Sequence, residues 1–210
     1  MNLFSRLLDL ACGKPLEKSE NGHAGRMMLV VSAMLCSLVF AALWGGAAGS
    51  RVSTQAVANL VKVPIIVLLS AVVALPAALL VWKLSGAPGR AREMLLSFAA
   101  GLLAGCLVLA VAAPFVALYY WSSKWGGPIV GQASTILALV VGTIIFLRSA
   151  LGSKAGEPEK KRGSVALPVL VLLIAQIASM AQLIALFSPI FPEHTHFDGG
   201  IDGLARKEAR

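Results

Sequence analysis

Charge is scarce in this chain of 210 residues. Only 13% are Asp, Glu, Lys or Arg, about half the share found in a soluble domain. Five stretches, 27–49, 63–82, 94–120, 125–147 and 163–192, hold none of these and no His. With 58% of the residues hydrophobic, a water-soluble globule is excluded, and each gap reaches the roughly 20 apolar residues that cross a bilayer. The alternation of polar and apolar positions that marks barrel strands is also missing. Backbone groups in lipid must then pair within their own segment, which predicts helices. The expected fold class is all-α: a polytopic membrane bundle of five transmembrane helices at 27–49, 63–82, 94–120, 128–147 and 164–190.

The spans hold no Asp, Glu, Lys, Arg or His. A proton relay, an ion pump or general acid–base catalysis accepts the cost of burying such a group because the group does the work. None being present, the expectation is no enzyme, no proton-coupled carrier and no cofactor; the His-Glu-x-x-His helix of a metalloprotease is absent. Cysteine is equally thin. Cys12, Cys36 and Cys106 form neither a disulfide framework nor a metal spacing. The longest segment outside the spans, 1–26, is too short for a soluble domain. Its length ahead of a 23-residue apolar run reads as an uncleaved anchor and not as a cleaved leader.

The charges that are present sit on one side. Arg6, Lys14, Lys18 and Arg26, then Lys83, Arg90 and Arg92, then Arg148, Lys154, Lys160, Lys161 and Arg162 fall on the side of the N-terminus. Across the bilayer stand Arg51, Lys62 and Lys124, with the remaining basic residues far along the tail. The positive-inside rule predicts a cytoplasmic N-terminus and an outward C-terminal tail, 191–210. Trp44, Tyr119, Tyr120, Trp121 and Trp125 would mark the outer interface and Trp82 the inner one. The net charge of +8 is split among short segments with acids between them, so it predicts contact with anionic headgroups and not with nucleic acid.

Within the spans the informative marks are small residues, prolines and a few amides and hydroxyls. Ala33, Ser37, Ala41, Gly45 and Gly49 recur every fourth residue and make a smooth ridge along the first span. Ser97, Gly101 and Gly105 make a second in the third span, its natural partner, and Ala138 with Gly142 a shorter one in the fourth. These ridges serve packing inside the chain or docking of a second copy. Pro76 and Pro114 each remove a helical hydrogen bond and are expected kinks. Gln176, Ser179 and Gln182 share one face of the fifth span. They either hydrogen-bond to neighbouring helices or form one wall of a substrate path, with Ser70, Gln132, Thr135 and Thr143 as the available counterparts.

Both ends of the chain carry a further pattern. Leu3, Phe4, Leu7, Leu8 and Ala11 share a helical face opposite Asn2, Ser5, Arg6 and Asp9, the signature of a short amphipathic helix on the cytoplasmic leaflet, ended by Gly13 and Pro15. In the tail, His194, His196 and Asp198 combine ligand types that suit a transition metal at the outer face, though such a segment also serves as a solvated tail.

The run Leu60-Val61-Lys62-Val63-Pro64-Ile65-Ile66-Val67-Leu68-Leu69-Ser70, with Leu75-Pro76-Ala77 and Leu84-Ser85-Gly86 after it, resembles bacterial members of the Yip (Ypt-interacting protein) superfamily. The likeness covers about residues 59–147 and the five-span layout. It implies a non-enzymatic protein of the bacterial inner membrane that engages other membrane proteins as a scaffold or accessory subunit. Two alternatives stand beside it: a small channel or transporter subunit built on the polar stripe of the fifth span, and an outer-face metal binder.

Overall fold

The computed structural model describes residues 3–12, 23–85, 91–123, 126–152, 159–188 and 190. Every regular element among them is a helix: α1 (Leu3–Ala11), α2 (His23–Ala48), α3 (Ser53–Leu84), α4 (Ala91–Ser122), α5 (Gly126–Gly152) and α6 (Glu159–Phe187). The fold is all-α, and α2 to α6 are each long and apolar enough to cross a membrane. Stretches such as Val-Pro-Ile-Ile-Val in α3 are poor helix formers in water because β-branched side chains crowd the preceding turn. In hydrocarbon no alternative partner exists for their N–H and C=O groups, so the helix is kept.

The helices outrun the charge-free gaps. At about 1.5 Å per residue, the 32 residues of α3 extend about 48 Å, well beyond a hydrocarbon core of roughly 30 Å. Ser53 begins this helix, ten residues before the expected boundary at 63, and it runs through Lys62 and Pro64. The cause is simple. Absence of charge marks the hydrocarbon, whereas a helix continues into the headgroup layer, where a long lysine stem lies along apolar surface with its ammonium in water. What remains between α2 and α3 is a tight turn, with Gly49 N–H on Gly45 O at 3.1 Å and Val52 N–H on Gly49 O at 3.0 Å.

Pro76 and Pro114 lie inside continuous helices, as do Pro64 and Pro168. Both expected kink prolines are exposed. Each frees the carbonyl four residues earlier, those of Val72 and Ala110, from its helical bond.

The bundle is an arc. α4 packs along α5 on one side and α2 on the other, α2 packs on α3, and α3 packs on α6, while α5 and α6 at the two ends barely meet. Inside the arc, Val63, Ile66 and Val67 of α3 meet Cys106, Leu109 and Val116 of α4. A second cluster sets Ala71, Ala74 and Ala78 with Phe98, Phe146 and Leu172; Phe98 and Phe146 stack edge to face, centroids 6.1 Å apart at 89°. That is the arrangement favoured by the ring quadrupoles.

Two expectations require correction. The N-terminal helix turns part of its expected apolar face, at Leu7 and Ala11, onto the bundle together with Leu10. Leu10 is buried with Leu29, Ala33, Ala99, Ala100 and Leu103, and Leu7 and Ala11 pack beside it, whereas Leu8 is 43% exposed. Protein contact along Leu7, Leu10 and Ala11, spaced three and four apart, replaces an all-lipid apolar face. The aromatic belt is also narrower than the sequence suggested. Trp44, Trp82 and Tyr120 are buried, and only Tyr119 and Trp121 of the described set are exposed at an end of the bundle.

Candidate functional site: helix seams and a lateral cleft

The small residues decide how closely the helices approach. Ala33, Ser37 and Ala41 of α2 are fully buried, and Gly45 and, just past the helix, Gly49 are buried too. A Cβ at Gly45 would run into the Asn59 carbonyl and lie 2.9 Å from Val63 Cγ2, and one at Gly49 would stand 2.6 Å from the Ala56 nitrogen. The lower part of this ridge is therefore filled by the backbone of α3. Its upper part, at Ala33, is closed by Ala99, Ala100 and Leu103 of α4. Ser37 turns its hydroxyl back onto Ala33 O at 2.8 Å, the local bond that serine makes within a helix.

The second ridge does not face the first, contrary to expectation. A Cβ at Gly101 would lie 2.7 Å from Gly142 O, one at Gly105 2.9 Å from Ala138 O, and one at Gly142 2.8 Å from Gly101 O. Gly101 and Gly105 thus receive the short ridge of α5. The reason is that α4 carries two small-residue faces, and α2 takes the other, made by Ala99 and Ala100. Ser97, above the glycines, accepts a hydrogen bond from the Ser149 hydroxyl of α5 at 3.0 Å.

Polar ties between described residues join the arc. Besides the Ser149 and Ser97 pair, Trp44 Nε1 of α2 donates to Ser134 Oγ of α5 at 2.9 Å. Asn59 Nδ2 of α3 donates to Ile190 O, just past α6, at 2.6 Å. Gln176 Nε2 of α6 donates to Ser70 Oγ of α3 at 2.8 Å, and Ser70 in turn donates to Val67 O at 3.0 Å. Asn59, Ser134 and Ser149 were not legible as partners from composition. Asn59 lay outside the span as bounded by charge, although it stands four residues before Val63 on the same buried face.

The polar stripe of α6 is split. Gln176 is half-buried and tied to Ser70, Ser179 is buried, and Gln182 is exposed. Gln132 is exposed as well, and Thr135 donates to its carbonyl at 2.7 Å. The stripe does not face protein along its whole length, because α6 packs mainly on α3 and leaves one flank outward.

Where α5 and α6 part, a cleft of about 110 Å³ opens sideways between them. Its floor is Gly101, Gly105 and Cys106 of α4 with Val67 of α3; Leu139 and Thr143 form one wall, Leu173, Gln176 and Ile177 the other. The lining is almost wholly apolar. One polar atom is unmatched: Gln176 Oε1 is buried without a hydrogen-bond donor, a situation that costs roughly 1–3 kcal/mol.

Among the described residues no three His, Cys, Asp or Glu side chains gather as metal ligands. His194, His196 and Asp198 lie outside the described residues. Comparison with protein-family models, with curated proteins and with solved structures gives no match to the chain.

Proposed function

We propose that this chain is a non-enzymatic integral membrane protein that serves as a scaffold or accessory subunit for other membrane proteins, oriented with its N-terminus in the cytoplasm. The observation that carries this reading is where the polar groups of the spans go. Tie after tie is spent joining one helix to the next, and the cleft between α5 and α6 is almost entirely apolar. Hydrogen bonds of this kind hold helices in a fixed arrangement at about 0.6 kcal/mol each; Thr135, Thr143 and Gln176 do line one cleft, but its surface is almost wholly apolar, where a solute path would need a polar lining. The Yip-like run at residues 60–70 and the surplus of Lys and Arg on the N-terminal side agree with this role and orientation, which suit a bacterial inner membrane.

The exposed apolar flanks of α2 and α5, at Leu35, Val39, Ile136 and Val140, are the surfaces offered to a partner or to a second copy. A photo-crosslinking residue placed at Leu35 or Ile136 in native membranes should capture one membrane protein at one of these positions and not the other. Lipid adducts alone, at equal yield on both flanks, would overturn the scaffold reading. Orientation has its own test. A reporter that fluoresces only in the cytoplasm should glow when inserted after Ala155 and stay dark after Arg210.

A further inference from the structure

Three glutamines lie on the two helices at the open ends of the arc. Gln176 is tied to Ser70, but Gln132 on α5 and Gln182 on α6 are exposed, and each stands inside the apolar window of its helix. An amide that faces hydrocarbon has lost its water without gaining a partner. The two exposed amides differ in where they can turn. A Cα–Cβ bond tilts toward the N-terminus of its own helix. Gln132 is the seventh residue of α5, which begins at Gly126, so its side chain leans toward the near end of that helix and the headgroups there. Gln182 is five residues short of Phe187, the end of α6, about 8 Å along the axis, and it leans the other way, toward the middle of the membrane. It also lacks the long stem by which lysine and arginine reach the surface. Among the described residues its amide has no hydrogen-bond partner. A partner for Gln182 must therefore come to it within the hydrocarbon.

The residues around Gln182 decide what can come. Ala178, Ala181 and Ala185 are exposed beside it, and at 100° per residue the four fall within about 100° of arc on one face of α6. The lipid-facing row of α2, by contrast, is bulky throughout, with Val31, Leu35, Val39 and Leu43. Three methyl groups and an amide let a second helix approach closely and bring a polar group of that helix within reach of the amide. Symmetry then selects the helix. Two copies with the same orientation in a bilayer pair about a two-fold axis along the membrane normal, which keeps every residue at its own depth. α6 then meets α6, and Gln182 meets Gln182 of the second copy. An amide carries both donor and acceptor, so the pair is self-complementary: Nε2 of each donates to Oε1 of the other. We propose that the C-terminal half of α6 is the contact between two copies of this chain, closed by mutual hydrogen bonding of Gln182 across the two-fold axis. This pairing goes beyond the scaffold role and does not depend on it, since it leaves the flanks of α2 and α5 open.

The test uses the full chain, labelled at its N-terminal amine with donor or acceptor fluorophore, in liposomes of dioleoylphosphatidylcholine. Energy transfer is followed as the protein-to-lipid ratio falls. The native protein should associate as a dimer. Gln182→Leu should weaken that association about tenfold, the worth of two interhelical hydrogen bonds, while helix content and the unfolding midpoint in detergent stay as they were, because the side chain is exposed. Ala181→Leu, which holds the two helices apart, should weaken it as well and keeps the test open if the first variant does not fold. Gln132→Leu should leave the association unchanged. A native protein that stays monomeric at every ratio overturns the proposal. So does association at native strength in either α6 variant once folded, or its loss in Gln132→Leu, which would place the contact on α5.

Discussion

The seam between α4 and α5 and the gap between α5 and α6 share one helix yet end in opposite states. Along the seam both partners supply glycine or alanine at the crossing: Gly101 meets Gly142, and Gly105 meets Ala138. Across the gap the facing residues are Leu139 and Thr143 on one side and Leu173 and Ile177 on the other. Close approach in lipid is driven by packing, since hydrocarbon offers no water to escape from. Backbones come together where at least one surface is small, as Gly45 against Asn59 and Val63 shows, and bulky residues on both sides leave the helices to lipid. The difference teaches that a small-residue ridge has meaning only as half of a pair. The first-span ridge finds its other half in the backbone of α3 and in Ala99 and Ala100 of α4, so it is consumed within the chain and is not a docking face.

The sharpest way to break the comparison is to make one side of the seam bulky. Gly142→Leu would set a branched side chain against the Gly101 carbonyl, already 2.8 Å from where a Cβ would stand. A loss of about 3 kcal/mol or more is expected, at the upper end of overpacking costs, read as a large fall in thermal unfolding temperature in detergent. A wild-type midpoint would mean that α4 and α5 are not in contact here. A smaller effect is expected at the far end of the arc, where Asn59 holds the carbonyl of Ile190. Asn59→Ala removes one hydrogen bond and should cost about 1 kcal/mol. It should also speed hydrogen exchange in the last turn of α6 while leaving the α4/α5 seam as slow as before. Uniform acceleration through all helices would show that the tie supports the whole bundle.

Helix number, type and membrane-spanning length were legible because the hydrocarbon core imposes one rule on every residue: no charge and no unpaired backbone. That rule is written in 20-residue averages and survives any local detail. Boundaries were less legible, as Ser53 shows, because the headgroup layer tolerates a helix and a lysine together. Pairing of the ridges could not be read off. Gly101 and Gly105 look the same to α2 and to α5, and the choice was made by which other face of α4, the one with Ala99 and Ala100, fitted Ala33 better. The cleft was half-visible: Gln176, Thr135 and Thr143, which all line it, were read from the sequence as one wall of a path and its counterparts, whereas the gap itself arises from the bulk of Leu173 and Ile177, which resemble any other lipid-facing residues. Leu10 illustrates the same point at α1. A nine-residue amphipathic helix has several plausible apolar faces, and only the pocket formed by Leu29 and Leu103 selects one.

The smallest expected effect sharpens the comparison from the open side. Ile177 is 43% exposed and lines the gap, so Ile177→Ala removes side-chain atoms that face hydrocarbon both before and after folding within the membrane. The transfer term that makes large-to-small substitutions costly in water-soluble cores has no counterpart here, and few protein contacts are lost. A change below about 0.5 kcal/mol is expected, close to that of surface substitutions generally. Leu172→Ala, one helical turn and a fraction away, truncates a fully buried side chain packed with Phe98 and Phe146. It should cost about 2 kcal/mol or more through the cavity it leaves. Measured side by side as unfolding midpoints in the same detergent, the two truncations on one helix should differ severalfold. Equal costs would mean that α6 is packed alike on both flanks and that the gap beside α5 is closed in the folded protein.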